Sequence, residues 1–289
     1  MPRTRRPTAG DLKPRLDALY DSFNFPESAF DPIQVVRRYP RLADREIVAF
    51  LAAGLAFGRV ASVVNSVEAV CRLLGDSPAR VVAQFDPDRD GAALLPLVHR
   101  WIRGRDLVAV LWMLRVMVEE AGSLEAWYAR GWSEEDTDVE PSLESFSTRA
   151  RAIDLRPAYG RVPKTPPAYF FFARPSTGGA CKRLNLFLRW MVRTDGVDLG
   201  GWTRPLPSQL VLPLDTHTIR TGRCLRLTRR VSPGWKMAAE ITAALRTLDA
   251  ADPVRYDFSL CHLGMMGACG FGTRQRDEHC PLKGTCRGK

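Results

Sequence analysis

Apolar residues recur at helical spacing along most of the chain. In residues 42–59, LADREIVAFLAAGLAFGR, Ile47, Leu51 and Leu55 share one face, and Asp44 stands near the helix start. Residues 106–120 repeat the pattern. Residues 215–227, 236–248 and 253–266 predict further helices, and 197–210 reads as a loop-rich link. No stretch alternates convincingly with period two, and no internal repeat is visible. The expectation is an all-α fold.

One segment breaks the periodicity. Residues 131–145, GWSEEDTDVEPSLES, are acidic and polar, and predict a loop or exposed linker that divides the chain. The organisation expected is a basic tail at 1–10, a helical lobe at 11–145, a second region at 146–266 and a Cys-rich tail at 267–289.

Charge sharpens this picture. The 289-residue chain carries a net +10, yet residues 151–230 alone hold fifteen Lys/Arg against four Asp, a net +11. Such a concentrated excess suits phosphates, and a solvated Arg-rich surface is the plain alternative. The longest apolar run, 47–58, has twelve residues, short of the roughly 20 that a membrane-spanning helix needs. MPRTRRPTAGD is basic with no apolar core after it, so no secretory signal is visible. A cytoplasmic monomer is expected, with no membrane partner.

Two segments could carry chemistry. In PSTGGACKRLNLFLRWMVR, residues 175–193, a Gly178-Gly179 turn feeds an amphipathic helix. Backbone N–H groups at such a start can hold a phosphate. Lys182 falls in the first turn, where the helix dipole and Arg183 favour a neutral, nucleophilic amine; a plain surface cation is the alternative. In LPLDTHTIRTGRCLRLTRR, residues 212–230, Asp215 suits an N-cap, and equally a carboxylate that steadies developing positive charge. His217 either packs or touches a phosphate.

Together these segments resemble the helix-hairpin-helix DNA glycosylases of the endonuclease III superfamily. The family hairpin Leu-Pro-Gly-Val-Gly-x-Lys is matched by Thr177-Gly178-Gly179-Ala180-Cys181-Lys182, with Ala180 in place of the second glycine. The signature Val-Asp-Thr-His-Val-x-Arg is matched by Leu214-Asp215-Thr216-His217-Thr218-Ile219-Arg220. The 33-residue Lys182–Asp215 gap is similar to that of the archaeal 8-oxoguanine glycosylase branch. Nearly the whole chain resembles a bacterial family, DUF2400, through ADREIVAFLAAGLAFGR, ACKRLNLFLRWMVR, PLDTHTIR and DPVRYDFSLCHLGM. The superfamily resemblance implies a two-lobed helix-hairpin-helix fold. It also implies a Lys182 nucleophile, an essential Asp215, and DNA contacts from Gly178, Gly179, Arg183, His217 and Arg220.

Seven cysteines is an odd number, and four fall in the last 29 residues as Cys261-x7-Cys269-x10-Cys280-x5-Cys286. Thiolates so clustered suit zinc or an iron–sulfur cluster. Endonuclease III-like proteins end in Cys-x6-Cys-x2-Cys-x5-Cys around a [4Fe-4S] cluster. The resemblance therefore implies Cys269, Cys280 and Cys286 as ligands, with Asp277 where the second cysteine is expected. His279 or Cys261 could supply the fourth ligand instead, and Cys261 equally reads as a core thiol. The function expected is a DNA base-excision glycosylase, with AP-lyase activity through a lysine Schiff base. The rival is a non-catalytic DNA- or RNA-binding protein on the same fold.

Overall fold

The computed structural model describes residues 9–28, 31–265, 280–283 and 285. In chain order these form α1 (Ala9–Phe23), α2 (Ile33–Val36), α3 (Leu42–Gly54), α4 (Val60–Leu74), α5 (Pro78–Ala83), α6 (Pro87–Asp90), β1 (Val98–His99), β2 (Ile102–Arg103), α7 (Gly104–Ala121) and α8 (Leu124–Ala129). They continue as α9 (Glu140–Arg151), α10 (Arg156–Tyr159), α11 (Lys182–Val192), α12 (Thr216–Cys224), α13 (Trp235–Arg246) and α14 (Asp257–Met265). The protein is mostly helical, as the apolar spacing predicts. Among the described residues, strand pairing is confined to the β1–β2 hairpin and a bridge between Thr194 and Leu199.

Helix α3 is buried on every side rather than on one face: residues 46–53 are all inside. A helix apolar all round belongs at the centre of a core, and α3 packs against α2, α4, α5 and α11. Phe50 meets Phe146 of α9 at 6.3 Å and Phe187 of α11 at 5.4 Å, ring centre to ring centre. It also meets Phe171 at 6.3 Å and Phe172 at 5.1 Å. The Tyr169–Phe172 run is therefore partly core, with Phe171 and Phe172 fully buried. Helix α3 ends where Gly54 touches Phe171: a Cβ there would lie 2.2 Å from the ring.

Burial of α3 takes a carboxylate with it. Glu46 is 3% exposed and accepts from the Leu124 and Glu125 backbone N–H groups and the Trp202 indole. Burial still wins, and the carboxyl is pushed up to about 7. From its ordinary value of 4.5 up to that point, the folded state keeps a proton that the unfolded chain has lost. Glu46 thus contributes stability below pH 4.5 that is lost as pH rises through about 7. The change is on the order of 3 kcal/mol. Denaturant midpoints across this range should fall with pH in the wild type, and the fall should be smaller in Glu46→Gln. Parallel profiles would refute this.

Two expectations change. Residues 131–145 are not a single exposed linker, because α9 begins at Glu140. The preceding loop is pinned by Gln209, whose amide donates to the Ser133, Glu134 and Asp136 carbonyls and accepts from the Trp132 indole. The +11 excess also overstates what can face a phosphate. Arg189 and Arg193 of the 151–230 stretch are 3% and 4% exposed. Arg189 pairs with Asp198 at 3.1 Å and Asp257 at 2.5 Å. Arg193 pairs with Asp195, Asp198 and Asp252. These pairs fasten α11 to α14 and to the loop after α11. Exposed cations that remain in the stretch include Arg161, Lys164, Arg229 and Arg230.

Candidate active site

A tight turn sets the start of α11. Residues Pro175–Thr177 form one 3-10 turn that ends at Gly178, φ +81°, where glycine alone is unstrained. Ser176 is tied to Glu144 of α9 through its N–H at 3.0 Å and its hydroxyl at 2.7 Å. The Gly178 carbonyl accepts from the Trp235 N–H at 3.2 Å, an approach that Gly234 permits, since a Cβ there would lie 2.6 Å from that oxygen. The second left-handed position of the turn is not Ala180 but Cys181, φ +48°. Alanine therefore fits where the resemblance expects glycine, and the strain falls on a buried cysteine. The Asn185 side chain holds the Ala180 carbonyl at 3.1 Å.

This turn delivers Lys182 to the first position of α11, about one-third exposed. Its Nζ lies 4.0 Å from Asp215 Oδ2 and donates to the Ala56 carbonyl at 3.5 Å. Asp215 divides its two oxygens. Oδ1 caps α12, accepting from the His217 and Thr218 N–H groups at 2.8 Å each. Oδ2 faces Lys182 and accepts from the Cys261 thiol at 3.2 Å. Burial alone would raise this carboxyl. The Lys182 ammonium, the Thr218 N–H and the Cys261 thiol outweigh burial and hold it below its ordinary value. It is an anion at neutral pH. The Cys261 thiol is pushed well up by burial and by the Asp215 and Asp257 carboxylates, so it remains a donor.

Lys182 and Asp215 open onto a cavity of about 410 Å³. Its walls come from α3's exit (Ala56, Phe57), α11 (Leu186, Trp190) and α14 (Phe258, Cys261). That volume is in the range of small-molecule sites.

The other candidates fall around this centre. His217 lines the cavity and packs on Gly264, whose absent Cβ would lie 2.8 Å from Nδ1. Gly178 and Gly179 are exposed. Gly178 borders a second depression of about 620 Å³, shared with Ser176, Arg230 and Lys236. Arg220 is exposed on α12. Arg183 turns inward: its guanidinium lies 3.0 Å over the Phe170 ring and donates to the Phe170 carbonyl. Burial pulls it down to about 9.

Sequence reasoning passed over Trp101. It sits at the β1–β2 turn, 51% exposed, between exposed Arg100 and Arg103. Its ring lies 4.5 Å from Phe57, which lines the cavity, and 5.2 Å from Phe170. The local sequence HRWIR offers basic and aromatic residues, a signal too short to read without the hairpin.

The family model for DUF2400, described as a protein of unknown function, matches residues 31–266. The chain belongs to the DUF2400 family. No curated protein and no solved structure matches it. In this DUF2400 protein the matched span contains Lys182, Asp215 and every wall of the cavity.

The cysteine tail follows. Cys269, Asp277 and Cys286 lie outside the described residues, as does His279. Cys280 is buried, as are Leu282 and Thr285, and Arg15 of α1 donates to the Lys283 carbonyl. Cys261 sits at the cavity beside Asp215. Among the described residues no group of three or more His, Cys, Asp or Glu is placed to hold a metal ion. No described helix is long and apolar enough to cross a membrane.

Proposed function

We propose that this DUF2400 protein is a DNA base-excision glycosylase with AP-lyase activity. One observation carries the reading: a lysine at a helix start and an ionised aspartate meet at 4.0 Å on the wall of a cavity of about 410 Å³, roomy enough for an extruded base. The target nucleotide leaves the stack, at a cost of a few kcal/mol. Asp215 Oδ2 steadies the cationic sugar as the C1′–N bond breaks and the base departs with that electron pair. Lys182, having released a proton to solvent, attacks C1′ through Nζ. Breaking the C1′–ring oxygen bond gives an iminium. Loss of a C2′ proton then expels the 3′ phosphate. Trp101, beside the cavity mouth, offers a face for a neighbouring base.

The rival reading, a non-catalytic nucleic-acid-binding protein, also has an observation behind it. Lys182 satisfies both Asp215 and the Ala56 carbonyl, and Asp215 caps its helix, so neither residue is idle without chemistry. Borohydride reduction on a lesion or abasic duplex separates the two: a glycosylase–lyase leaves a covalent adduct and the rival does not.

Both readings require phosphate contacts. About five would give a log–log salt slope near −4.5. Fluorescence anisotropy with duplex DNA should show that slope, and Trp101→Ala should lose about tenfold in affinity at an unchanged slope. A flat salt response would leave the basic stretch as a solvated surface. RNA in the same titration tests the preference for DNA.

The tail is proposed to bind a [4Fe-4S] cluster through Cys269, Cys280 and Cys286, with Asp277 fourth; zinc is the alternative. Such a cluster would fix the tail, and an oxygen ligand should make it more labile than four thiolates would. Anaerobically purified protein should be brown and bleach in air, and Asp277→Cys should slow the bleaching. Stoichiometric zinc without iron would overturn the assignment.

A further inference from the structure

The tip of the β1–β2 hairpin is aromatic, basic and strained. Its turn consists of Arg100 and Trp101, between the paired residues His99 and Ile102. Arg100 takes φ +58°, a left-handed position that a residue with a Cβ adopts only at a cost. Such strain gathers at binding and catalytic sites. Residues 91–105 hold three Arg and no Asp or Glu. Arg100 and Arg103 are exposed, and so is Arg59 where α4 begins. The Arg100 side chain lies over Gly58 of the cavity wall, its Cδ 3.6 Å from where a Cβ would stand.

Three rings define one open face. Trp101 and Phe57 lie nearly face to face, 4.5 Å between centres and 32° between planes. Phe170 stands edge-on to both, 5.2 Å from Trp101 and 5.0 Å from Phe57. A ring so close to both members flanks the pair; over the far face of Trp101 it would lie much farther from Phe57. The far indole face is therefore left to solvent, in keeping with a residue 51% exposed. The backing is held in place. His99 Nε2 donates to the Phe57 carbonyl at 3.0 Å, and its Nδ1 accepts from the Ser66 hydroxyl at 2.9 Å. The Arg183 guanidinium lies 3.0 Å over the Phe170 ring. A fixed aromatic face among cations is the composition that binds nucleobases: the ring stacks whatever the base, and the cations take the phosphates.

We propose that the hairpin is a stacking platform for an unpaired base, so that the protein favours a polynucleotide whose stack is already interrupted beside the target; this rests on the nucleic-acid reading above and names the form of its substrate. In an intact duplex both faces of each base are covered by neighbours, so Trp101 meets one only after the stack opens. A gap presents a bare face, and the cost of opening disappears. Phe57 lies against Trp101 and lines the cavity, which places the stacked base next to the nucleotide that enters it.

The test compares an intact DNA duplex with the same duplex carrying a one-nucleotide gap, phosphorylated on both sides so that the number of phosphates is equal. The wild type should bind the gapped form about tenfold tighter, within the range of stacking one base on an aromatic side chain. Trp101→Ala should bring the two forms to about equal affinity at an unchanged salt slope. Trp101→Phe, which keeps a ring, should keep most of the preference. Saturation with the gapped duplex should quench wild-type tryptophan emission, and Trp101→Phe should lose most of that quench. Equal wild-type affinity for the two forms, or a gap preference that survives in Trp101→Ala, would overturn the proposal. Trp101-dependent binding to phosphatidylserine vesicles without a gap preference would overturn it too, and would assign the hairpin to a membrane surface. Adduct formation on an abasic duplex is read separately. An adduct without a gap preference rejects this inference and keeps the glycosylase reading. A Trp101-dependent gap preference without an adduct keeps the platform and rejects the chemistry. No binding to either duplex rejects both.

Discussion

Lys182→Ala protein, incubated with a substrate or abasic duplex and borohydride, should yield no covalent adduct where the wild type does. Hydride traps the iminium only if an amine has reached C1′, and Lys182 Nζ is the lysine nitrogen that shares the cavity mouth with Asp215. The expected loss is at least 1,000-fold, on the order of what removing an essential nucleophile costs. Asp215→Asn should act differently. It keeps an oxygen that can cap α12 but removes the charge beside the sugar, so base release should fall by about 100- to 1,000-fold. The folded baseline should be nearly kept in circular dichroism. An undiminished adduct in Lys182→Ala would remove the lysine from its role. Base release surviving in that variant would indicate attack by water with Asp215 still central.

The largest stability effect should come from Arg189→Met. Its guanidinium is the partner of Asp257 at 2.5 Å and of Asp198 at 3.1 Å, all three groups out of water. Breaking such a buried pair from one side costs about 3–5 kcal/mol, because the stranded carboxylates keep their desolvation penalty. Arg38→Met is the control. The Arg38–Glu68 pair has side chains 53% and 30% exposed, and exposed pairs contribute about 0–1 kcal/mol. Chemical denaturation should separate the two variants clearly. Equal midpoints would mean that the buried network is energetically neutral.

These two results draw on different kinds of legibility. The helices were readable because 3.6-residue periodicity survives in elements such as α13, which buries Met237, Ala238, Ile241 and Leu245 as one stripe, without knowledge of their neighbours. Asp215 was readable as a cap from its place before Thr216. That Lys182 and Asp215 would meet came from motif resemblance, since nothing local links residues 33 positions apart. The charge count mistook Arg189 and Arg193 for surface, because burial of a cation depends on carboxylates brought in from Asp252 and Asp257. Glu46 was hidden for the same reason: its donors lie 78 or more residues away. Trp101 was missed because two-residue strands leave no period to detect. Asp257 and Cys261, one helical turn apart on α14, did share a face in the sequence; only the fold turns that face toward Asp215.

The division of labour within Asp215 has a consequence for inheritance. One oxygen holds the first turn of α12 and the other faces the cavity. A descendant that abandoned the proposed reaction would still be selected to keep this aspartate, or a residue that caps as well, to stop the helix from fraying. Lys182 carries a lighter structural duty: its contacts, 3.5 Å to one carbonyl and 4.0 Å to one carboxylate, are both long. On the proposed chemistry, the lysine is therefore the residue whose disappearance among related chains would date the loss of that activity, and the aspartate is the one that would outlive it.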